Sequence, residues 1–152
     1  MPEGPEVRRY ADFLESKIRG KRLACVEIVS GRYKKHGPFS GYENIPLNVV
    51  IRGVECYGKL LYISLIDEND IETFLLSTLG MSGAWQSKPT KHNRVTLRLH
   101  DGSSVYYNDI RNFGTLKYVS LDELQKKIDK LGFDFLQYTY DSDKFNLSLI
   151  HI

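Results

Sequence analysis

The stretch VVIRGVECYGKLLYISLI, residues 49–66, is the clearest indication of the fold in this sequence. Apolar and β-branched residues fill both halves of the stretch, and the pair Gly58-Lys59 separates them. Apolar runs of about 4–8 residues that are rich in β-branched residues are typical of β-strands. We therefore expect two strands, Val49–Cys56 and Leu60–Ile66, and the turn residues 67–70 that follow them favour a hairpin with the next strand.

The chain on either side of these two strands contains more segments of the same kind. They are rich in Val, Ile, Leu, Thr and Tyr, and turn residues such as Asp101-Gly102 separate some neighbours. These further strands are predicted over Leu23–Val29, Glu72–Leu79, Val95–Leu99, Ser104–Tyr107 and Thr115–Val119. Residues 31–46 are polar and interrupted by Gly and Pro, which indicates a loop.

A helix is predicted on each side of the strands. Residues Pro5–Arg19 carry apolar residues at helical spacing, and Gly20 is a typical helix end. The second helix starts at Ser120, where Glu123 completes a capping box, and is expected to end at Gly132. The predicted fold is mainly β: a two-sheet β-sandwich with an N-terminal helix and a second helix near the C-terminus.

Composition narrows the class of protein. The chain has 152 residues, of which 41% are hydrophobic and 26% charged, as expected for one globular domain. No apolar run reaches the roughly 20 residues of a membrane span, so no membrane partner is expected. Cys25 and Cys56 fit an intracellular, reducing compartment, with cytoplasm and nucleus left open, and argue against a metal or cofactor site within this chain.

The positive charge is concentrated in the first part of the chain. Residues 1–60 hold 11 basic and 7 acidic residues, although the net charge of the whole chain is only +2. A basic N-terminal half is compatible with a polyanionic partner. The basic loop 31–46 either contacts a DNA backbone or is simply solvated, and the sequence favours neither.

The first six residues, MPEGPE, allow a specific chemistry. If Met1 is removed, Pro2 presents a secondary amine, and an α-amino group has an ordinary pKa of about 7.7–8.0. Such an amine is substantially neutral near pH 8 and attacks aldehyde-like carbon to form a Schiff base. Glu3 and Glu6 are placed to act as acid or base beside it. The alternative is that these residues only open a helix.

The order of several further motifs resembles one known family. MPEGPEV at the start, and five later motifs in the expected order, are similar to the formamidopyrimidine-DNA glycosylase and endonuclease VIII (Fpg/Nei) family. The later motifs are Gly58-Lys59-Leu60-Leu61, Leu79-Gly80-Met81-Ser82-Gly83, Lys91-His92-Asn93-Arg94-Val95, Asp109-Ile110-Arg111-Asn112-Phe113-Gly114 and Leu131-Gly132-Phe133-Asp134. Gly4 favours the Nei-like branch.

The resemblance implies a DNA glycosylase/AP lyase that excises oxidised bases in base-excision repair. Pro2 would attack C1′ of the damaged nucleoside, Glu3 would donate a proton for sugar ring opening, and Glu6 would support proton transfer. Lys59 would contact a phosphate next to the lesion and assist strand-breaking elimination, where negative charge develops. Taken without the family, Lys59 reads as a solvated lysine at a strand end.

The resemblance also implies contacts to damaged double-stranded DNA, the expected partner; no obligate protein partner is predicted. Met81, Arg111 and Phe113 would fill the gap left by a flipped base. His92 would contact a phosphate, while Asn112 stands where many relatives have a second arginine. Without the family resemblance, Met81 and Phe113 would more often be core residues, and His92 would more often be an ordinary surface histidine. The glycines next to Met81 and Phe113 nevertheless favour exposed turns.

Family members continue into a domain with a helix-two-turn-helix and usually a zinc finger, which would hold any zinc of the family. We expect residues 1–146 to be the N-terminal catalytic domain and that further domain to be absent. Residues 147–152, LSLIHI, match a translated library-adapter sequence and are expected to be a non-native tail. Two alternatives stay open: a damaged-DNA-binding fragment with little turnover, and a β-sandwich with no nucleic-acid role.

Overall fold

In this computed structural model the backbone is described for residues 4–139 and the side chains for residues 4–131. The elements in chain order are α1 (Gly4–Ile18), β1 (Leu23–Ile28), α2 (Arg32–Lys35), a 3-10 turn (Tyr42–Asn44), β2 (Val50–Tyr57), β3 (Leu60–Ile66), β4 (Glu72–Thr78), β5 (Gly83–Gln86), β6 (Asn93–Leu99), β7 (Ser104–Asp109), β8 (Thr115–Ser120) and α3 (Leu121–Thr139). The two-sheet sandwich with an N-terminal and a C-terminal helix is confirmed.

The strands form two four-stranded antiparallel sheets. The first sheet has the order β2-β3-β4-β8, and the second has the order β1-β6-β7-β5. The two strands predicted within residues 49–66 are present as β2 and β3, and they pair as a hairpin from Val50–Ile66 to Tyr57–Leu60. Burial of alternate apolar side chains drives the two sheets together, as in other antiparallel sandwiches.

The core lies between the two sheets and under α1. Trp85 and Tyr107 are each 1% exposed, and their rings lie 5.2 Å apart. The indole Nε1 of Trp85 on β5 donates to Ser77 Oγ on β4 at 3.1 Å, which satisfies a buried donor and links the sheets. A second apolar cluster, including Phe74 and Leu124, lies between the other face of the first sheet and α3.

Helix α1 runs antiparallel to β2. Its apolar stripe is buried as predicted: Val7, Ala11, Leu14 and Ile18. Near the end of the helix, Glu15 Oε1 accepts a 2.7 Å bond from Val54 N, at an irregularity in the pairing of β2. Nearer its start, Arg8 lies 3.6 Å from Glu55. The start of α1 therefore lies beside the end of β2 that leads into Gly58-Lys59.

Three predictions differ from the structure. Strand β5 was not expected, because Gly83–Gln86 has only four residues and one large apolar side chain. Residues 31–46 are not wholly a loop, since α2 and the 3-10 turn form there and Phe39 is 2% exposed. The second helix does not end at Gly132 but continues to Thr139. A glycine costs only about 1 kcal/mol inside a helix, so it does not by itself end one.

Candidate active site

The register of the first sheet brings several of the predicted site segments to one end. Tyr57 pairs with Leu60, Leu60 with Thr78, and Thr78 with Thr115. The turn Gly58-Lys59, the segment after Thr78 and the segment before Thr115 therefore lie along the same edge. Lys59 is exposed there. Met81 follows Thr78, and Phe113 precedes Thr115, so both lie at this end.

The second sheet contributes its own residues to the same end. Gly83 pairs with Asp109, and Asn93 pairs with Asn108. His92 precedes β6, and its carbonyl oxygen accepts from Asp109 N at 3.1 Å. The loop that follows β7 contains Arg111, so His92 and Arg111 both belong to the end of the sandwich that carries Lys59.

Helix α1 begins at this end as well. Glu6 is half-buried and lines a cavity of about 460 Å³ with Arg9, Tyr10, Trp85 and other residues of α1 and β5. Pro2 and Glu3 lie outside the described residues. Glu6 thus lies in the first turn of α1 and shares this cavity with residues of β5.

Asp109 connects the two turns that carry the predicted DNA contacts. It is fully buried, and its carboxylate accepts four hydrogen bonds. Oδ1 accepts from Ser82 Oγ at 2.6 Å and from Asn112 N at 3.0 Å. Oδ2 accepts from Tyr107 Oη at 2.8 Å and from Gly114 N at 2.9 Å. Burial of an ionised carboxylate is tolerated when its oxygens are satisfied in this way.

The hydroxyl of Ser82 extends this network, because it also accepts from Arg111 N at 2.9 Å. The backbone of the Leu79–Gly83 turn is therefore fixed to the loop after β7. Burial, together with the hydrogen bond to Asp109, raises the pKa of Tyr107 above its ordinary range. The phenol therefore stays protonated as a donor.

The side chains that these two turns present are apolar and exposed. Met81 is 50% exposed, Phe113 is 56% exposed, and Ile110 is 65% exposed. Arg111 is exposed between the last two. The expectation that Met81 and Phe113 lie in exposed turns rather than in the core is therefore confirmed. Exposed apolar side chains on a rigid polar base are suited to insertion into another molecule.

The supporting residues of this site were not identified from sequence. Asp109, Ser82 and Tyr107 hold the turns in place, and Arg94 donates from Nε to Asp109 O at 2.9 Å. One pattern does indicate part of this network: Tyr107 and Asp109 are two residues apart on one strand, so their side chains share a face. The partner turn at Ser82 is distant in sequence and gives no such signal.

Within residues 4–131, no group of three or more His, Cys, Asp or Glu side chains is placed to hold a metal ion. Across the same described region, none of the helices is both long and apolar enough to cross a membrane.

Comparison with known proteins identifies the family and the fold. Residues 1–116 match the family model for the formamidopyrimidine-DNA glycosylase N-terminal domain. A solved structure of MutM in complex with DNA containing carbocyclic 8-oxo-G is similar at TM-score 0.70 and 26% identity, over 85% of this chain and 49% of that one. The Lactococcus lactis Fpg complexed with DNA containing an abasic site matches at TM-score 0.71 and 25% identity, over 85% of this chain and 48% of that one.

Curated relatives show the same family. The formamidopyrimidine-DNA glycosylase of Lactococcus lactis subsp. cremoris is 30% identical over 94% of this chain and 52% of its own length. That of Rickettsia conorii is 30% identical over the whole chain and 58% of its own length. The family model and the fold together define an N-terminal domain of the DNA glycosylase class. The chain belongs to the formamidopyrimidine-DNA glycosylase family, and it spans about half the length of these relatives.

Proposed function

We propose that this chain is the N-terminal catalytic domain, residues 1–146, of a DNA glycosylase/AP lyase that removes oxidised bases. The observation that carries the proposal is the convergence of Lys59, the start of α1 and the Met81 and Phe113 turns at one end of the sandwich. Catalytic and DNA-contacting groups must share one face for a base to be flipped and excised.

The proposed chemistry starts at the N-terminus. The neutral amine of Pro2 attacks C1′ of the damaged nucleoside, the bond from C1′ to the base breaks, and the departing base takes up a proton. Glu3 supplies a proton to the ring oxygen as the sugar opens, which leaves an iminium, the Schiff base of a secondary amine. Glu6 lines the cavity between α1 and β5 and would support these transfers.

Strand cleavage follows by elimination. A general base removes a proton from C2′ of the sugar, and the bond from C3′ to its phosphate oxygen breaks. Lys59 lies exposed at the β2–β3 turn, where its ammonium group stabilises the negative charge of the departing phosphate. His92 contacts a neighbouring phosphate, while Met81, Arg111 and Phe113 occupy the gap in the duplex.

Borohydride trapping tests this proposal. The 152-residue chain with Met1 removed, incubated with an abasic-site duplex and borohydride, should give a covalent protein–DNA adduct. A matched chain with an extra residue before Pro2 lacks the secondary amine and should give none. Binding of the duplex without any adduct would overturn the lyase assignment and favour the alternative, a damaged-DNA-binding fragment with little turnover.

The preferred lesion is a separate part of the proposal. Gly4 favours the Nei-like branch, whereas the relatives compared above carry the formamidopyrimidine-DNA glycosylase name. Oxidised pyrimidines and ring-opened purines both stay open as the preferred lesion. Parallel excision assays on the two lesions in the same duplex sequence identify which of them the protein releases faster.

A further inference from the structure

A basic groove lies beside the loop that follows β7. It has a volume of about 610 Å³ and is formed by the segment after β1 and by the loop that contains Arg111. Its basic lining residues are Arg32, Lys34, Lys35, His36, Arg94 and Arg111. No carboxylate lines it among the residues that the structure describes. The groove therefore presents one sign of charge.

Two of the arginines form the frame of the groove. Arg94 donates to the backbone oxygens of Asp109, at 2.9 Å, and of Ile110, at 3.2 Å. Arg32 donates from Nη2 to Gly114 O, and its guanidinium lies 4.9 Å from the ring centre of Tyr33. These contacts fix the groove to the same loop that carries the proposed gap-filling side chains.

Asn112 fixes α2 to this frame. Its Oδ1 accepts a 2.8 Å bond from Arg32 N, the first residue of α2. Asn112 itself has φ 57°, a left-handed conformation that asparagine adopts more readily than most residues. A side chain at Gly31 would collide with Asn112 Oδ1. The side chain of Asn112 is thus used to hold α2 beside Arg111.

The remaining cations of the groove are exposed and have no carboxylate partner within the part of the chain that the structure describes. Lys34, Lys35 and Arg111 are exposed, and none of them forms an ion pair with a described carboxylate. Some other exposed bases do have a carboxylate partner: Lys21 lies 2.8 Å from Asp101, and Arg98 lies 2.6 Å from Glu27. A cluster of unpaired cations on a rigid frame suits a polyanion, because phosphate contacts release counterions.

The sheet order decides which part of the DNA reaches the groove. Along the first sheet, Lys59 belongs to the β2–β3 turn, Met81 follows β4, and Phe113 precedes β8. The segment after β1 crosses beyond β8, where Tyr118 N donates to Ser40 O at 2.9 Å. Lys59 and the groove therefore lie on opposite sides of the gap-filling turns.

From this placement we propose that the groove binds phosphates of the undamaged strand, with Lys34 and Lys35 as the contacting residues. This inference rests on the proposed function, because the position of the lesion strand is set by Lys59. Arg111 lines the groove and is also proposed to fill the gap left by the flipped base. The loop after β7 would therefore contact the unpaired base of the undamaged strand, while α2 would bind the phosphates next to that base. Asn112 is a positioning residue for α2.

Salt-dependent binding tests the contacts. The full 152-residue chain, K34A/K35A and the control K126A/K127A are titrated with a duplex that contains a tetrahydrofuran abasic analogue, which cannot form a Schiff base. Lys126 and Lys127 are also exposed, but on α3. Binding by K34A/K35A should depend less steeply on salt: the magnitude of the slope of log K against log salt should be smaller by about 1.8, since each phosphate contact contributes about 0.9. The control should keep the wild-type slope.

A neutral backbone identifies the strand. Methylphosphonates in the undamaged strand, opposite the lesion, should weaken DNA binding by wild type about tenfold. They should weaken binding by K34A/K35A much less, because that variant no longer contacts these phosphates. Methylphosphonates beside the lesion should weaken both proteins equally. Three results would each overturn the inference. The salt slope of K34A/K35A could equal that of wild type, or the slope of K126A/K127A could fall by the same amount. Methylphosphonates beside the lesion, rather than opposite it, could be the ones that weaken wild type more than K34A/K35A.

The borohydride assay distinguishes a failure of the groove assignment from a failure of the proposed lyase function. If wild type gives no adduct but K34A/K35A still shows the smaller salt dependence of DNA binding, the lyase assignment is removed and the groove remains a DNA contact. A normal adduct in wild type with an unchanged slope in K34A/K35A would remove the groove assignment alone.

Discussion

Ser82 donates a 2.6 Å hydrogen bond from Oγ to Asp109 Oδ1, and this contact joins two turns that are 27 residues apart in sequence. Ser82 accepts from Arg111 N on the other side, so the same hydroxyl bridges a buried carboxylate and an exposed loop. The turn that presents Met81 and the loop that presents Phe113 are therefore one rigid unit. A wedge that enters a base stack must be rigid in this way, because unstacking costs a few kcal/mol per step.

The first prediction concerns the carboxylate at the centre of this unit. Asp109→Asn should lower the free energy of unfolding by about 3 kcal/mol, because hydrogen bonds to a charged acceptor contribute about 1.5–3 kcal/mol each. The new amide group also faces a backbone N–H, of Asn112 or of Gly114, instead of accepting from it. Urea unfolding followed by tryptophan fluorescence measures the loss.

The matched control for that experiment is Asp101→Asn. Asp101 is exposed in a turn, where its pairing with Lys21 is screened by solvent. Its urea midpoint should stay close to that of wild type. If Asp109→Asn behaved like Asp101→Asn, the buried network would not hold the turns together.

The second prediction is a pH dependence that arises from Tyr107. Its pKa is raised in the folded state by burial and by Asp109, whereas the unfolded phenol titrates near pH 10. Below about pH 10 both states hold the proton, and the stabilisation is complete. Above that pH the unfolded state loses the proton first, so stability falls by up to about 1.4 kcal/mol per pH unit.

Tyr107→Phe removes this titration along with the hydrogen bond to Asp109. The variant should be less stable than wild type at pH 8, and the difference should shrink between pH 10 and 11. Thermal unfolding of both proteins at each pH measures it. A difference that stays constant across this range would show that Tyr107 does not remain protonated in the folded protein.

Much of the fold follows from sequence because its signals are local. The apolar runs of β3 and β4 and the helical stripe of α1 are each readable within one element. Capping at Ser120 is also local, and Glu123 N donates to Ser120 Oγ at 3.3 Å as predicted. Strand β5 is too short for such a signal, and its place depends on pairing with β7.

The site is only partly readable for the same reason. Motif order indicates which exposed residues matter, but the contacts that position them join distant segments. Arg32 N donates to Asn112 Oδ1 across 80 positions in sequence, and Arg94 Nη1 donates to Ser30 Oγ across 64. A single sequence contains no signal for such pairs, so it indicates the basic loop 31–46 but not the groove that this loop forms with Arg94 and Arg111.

The third prediction separates binding from stability. Phe113→Ala should leave the free energy of unfolding nearly unchanged, since the ring is 56% exposed. Binding to an abasic-site duplex should weaken about fivefold or more, since stacking of an aromatic residue on a base contributes about 1–3 kcal/mol. Phe74→Ala provides the contrast: that ring is fully buried, and its loss should destabilise the fold by about 3–5 kcal/mol. Chemical denaturation and fluorescence anisotropy give the two readouts; a large loss of stability in Phe113→Ala would contradict its role as an exposed wedge.

The last prediction concerns the close approach of backbone and side chain at Gly114. A Cβ at this position would overlap Tyr107 Oη and lie 2.6 Å from Thr78 O and 2.9 Å from Asp109 Oδ2. Gly114→Ala should therefore separate the loop from the buried network and lower stability by about 2–4 kcal/mol, the range of an overpacked core with a broken hydrogen bond. DNA binding should weaken as well, because Phe113 precedes this residue.

Gly4→Ala is the control with the opposite sign. A Cβ at Gly4, the first residue of α1, meets nothing within 4 Å, and replacing glycine by alanine at a compatible backbone position stabilises a protein by about 0.4–1 kcal/mol. Thermal unfolding should therefore show a higher midpoint for Gly4→Ala and a clearly lower one for Gly114→Ala. Equal midpoints for the two variants would mean that the Gly114 backbone can move away from Tyr107 at no cost, and that the two turns are not one rigid unit.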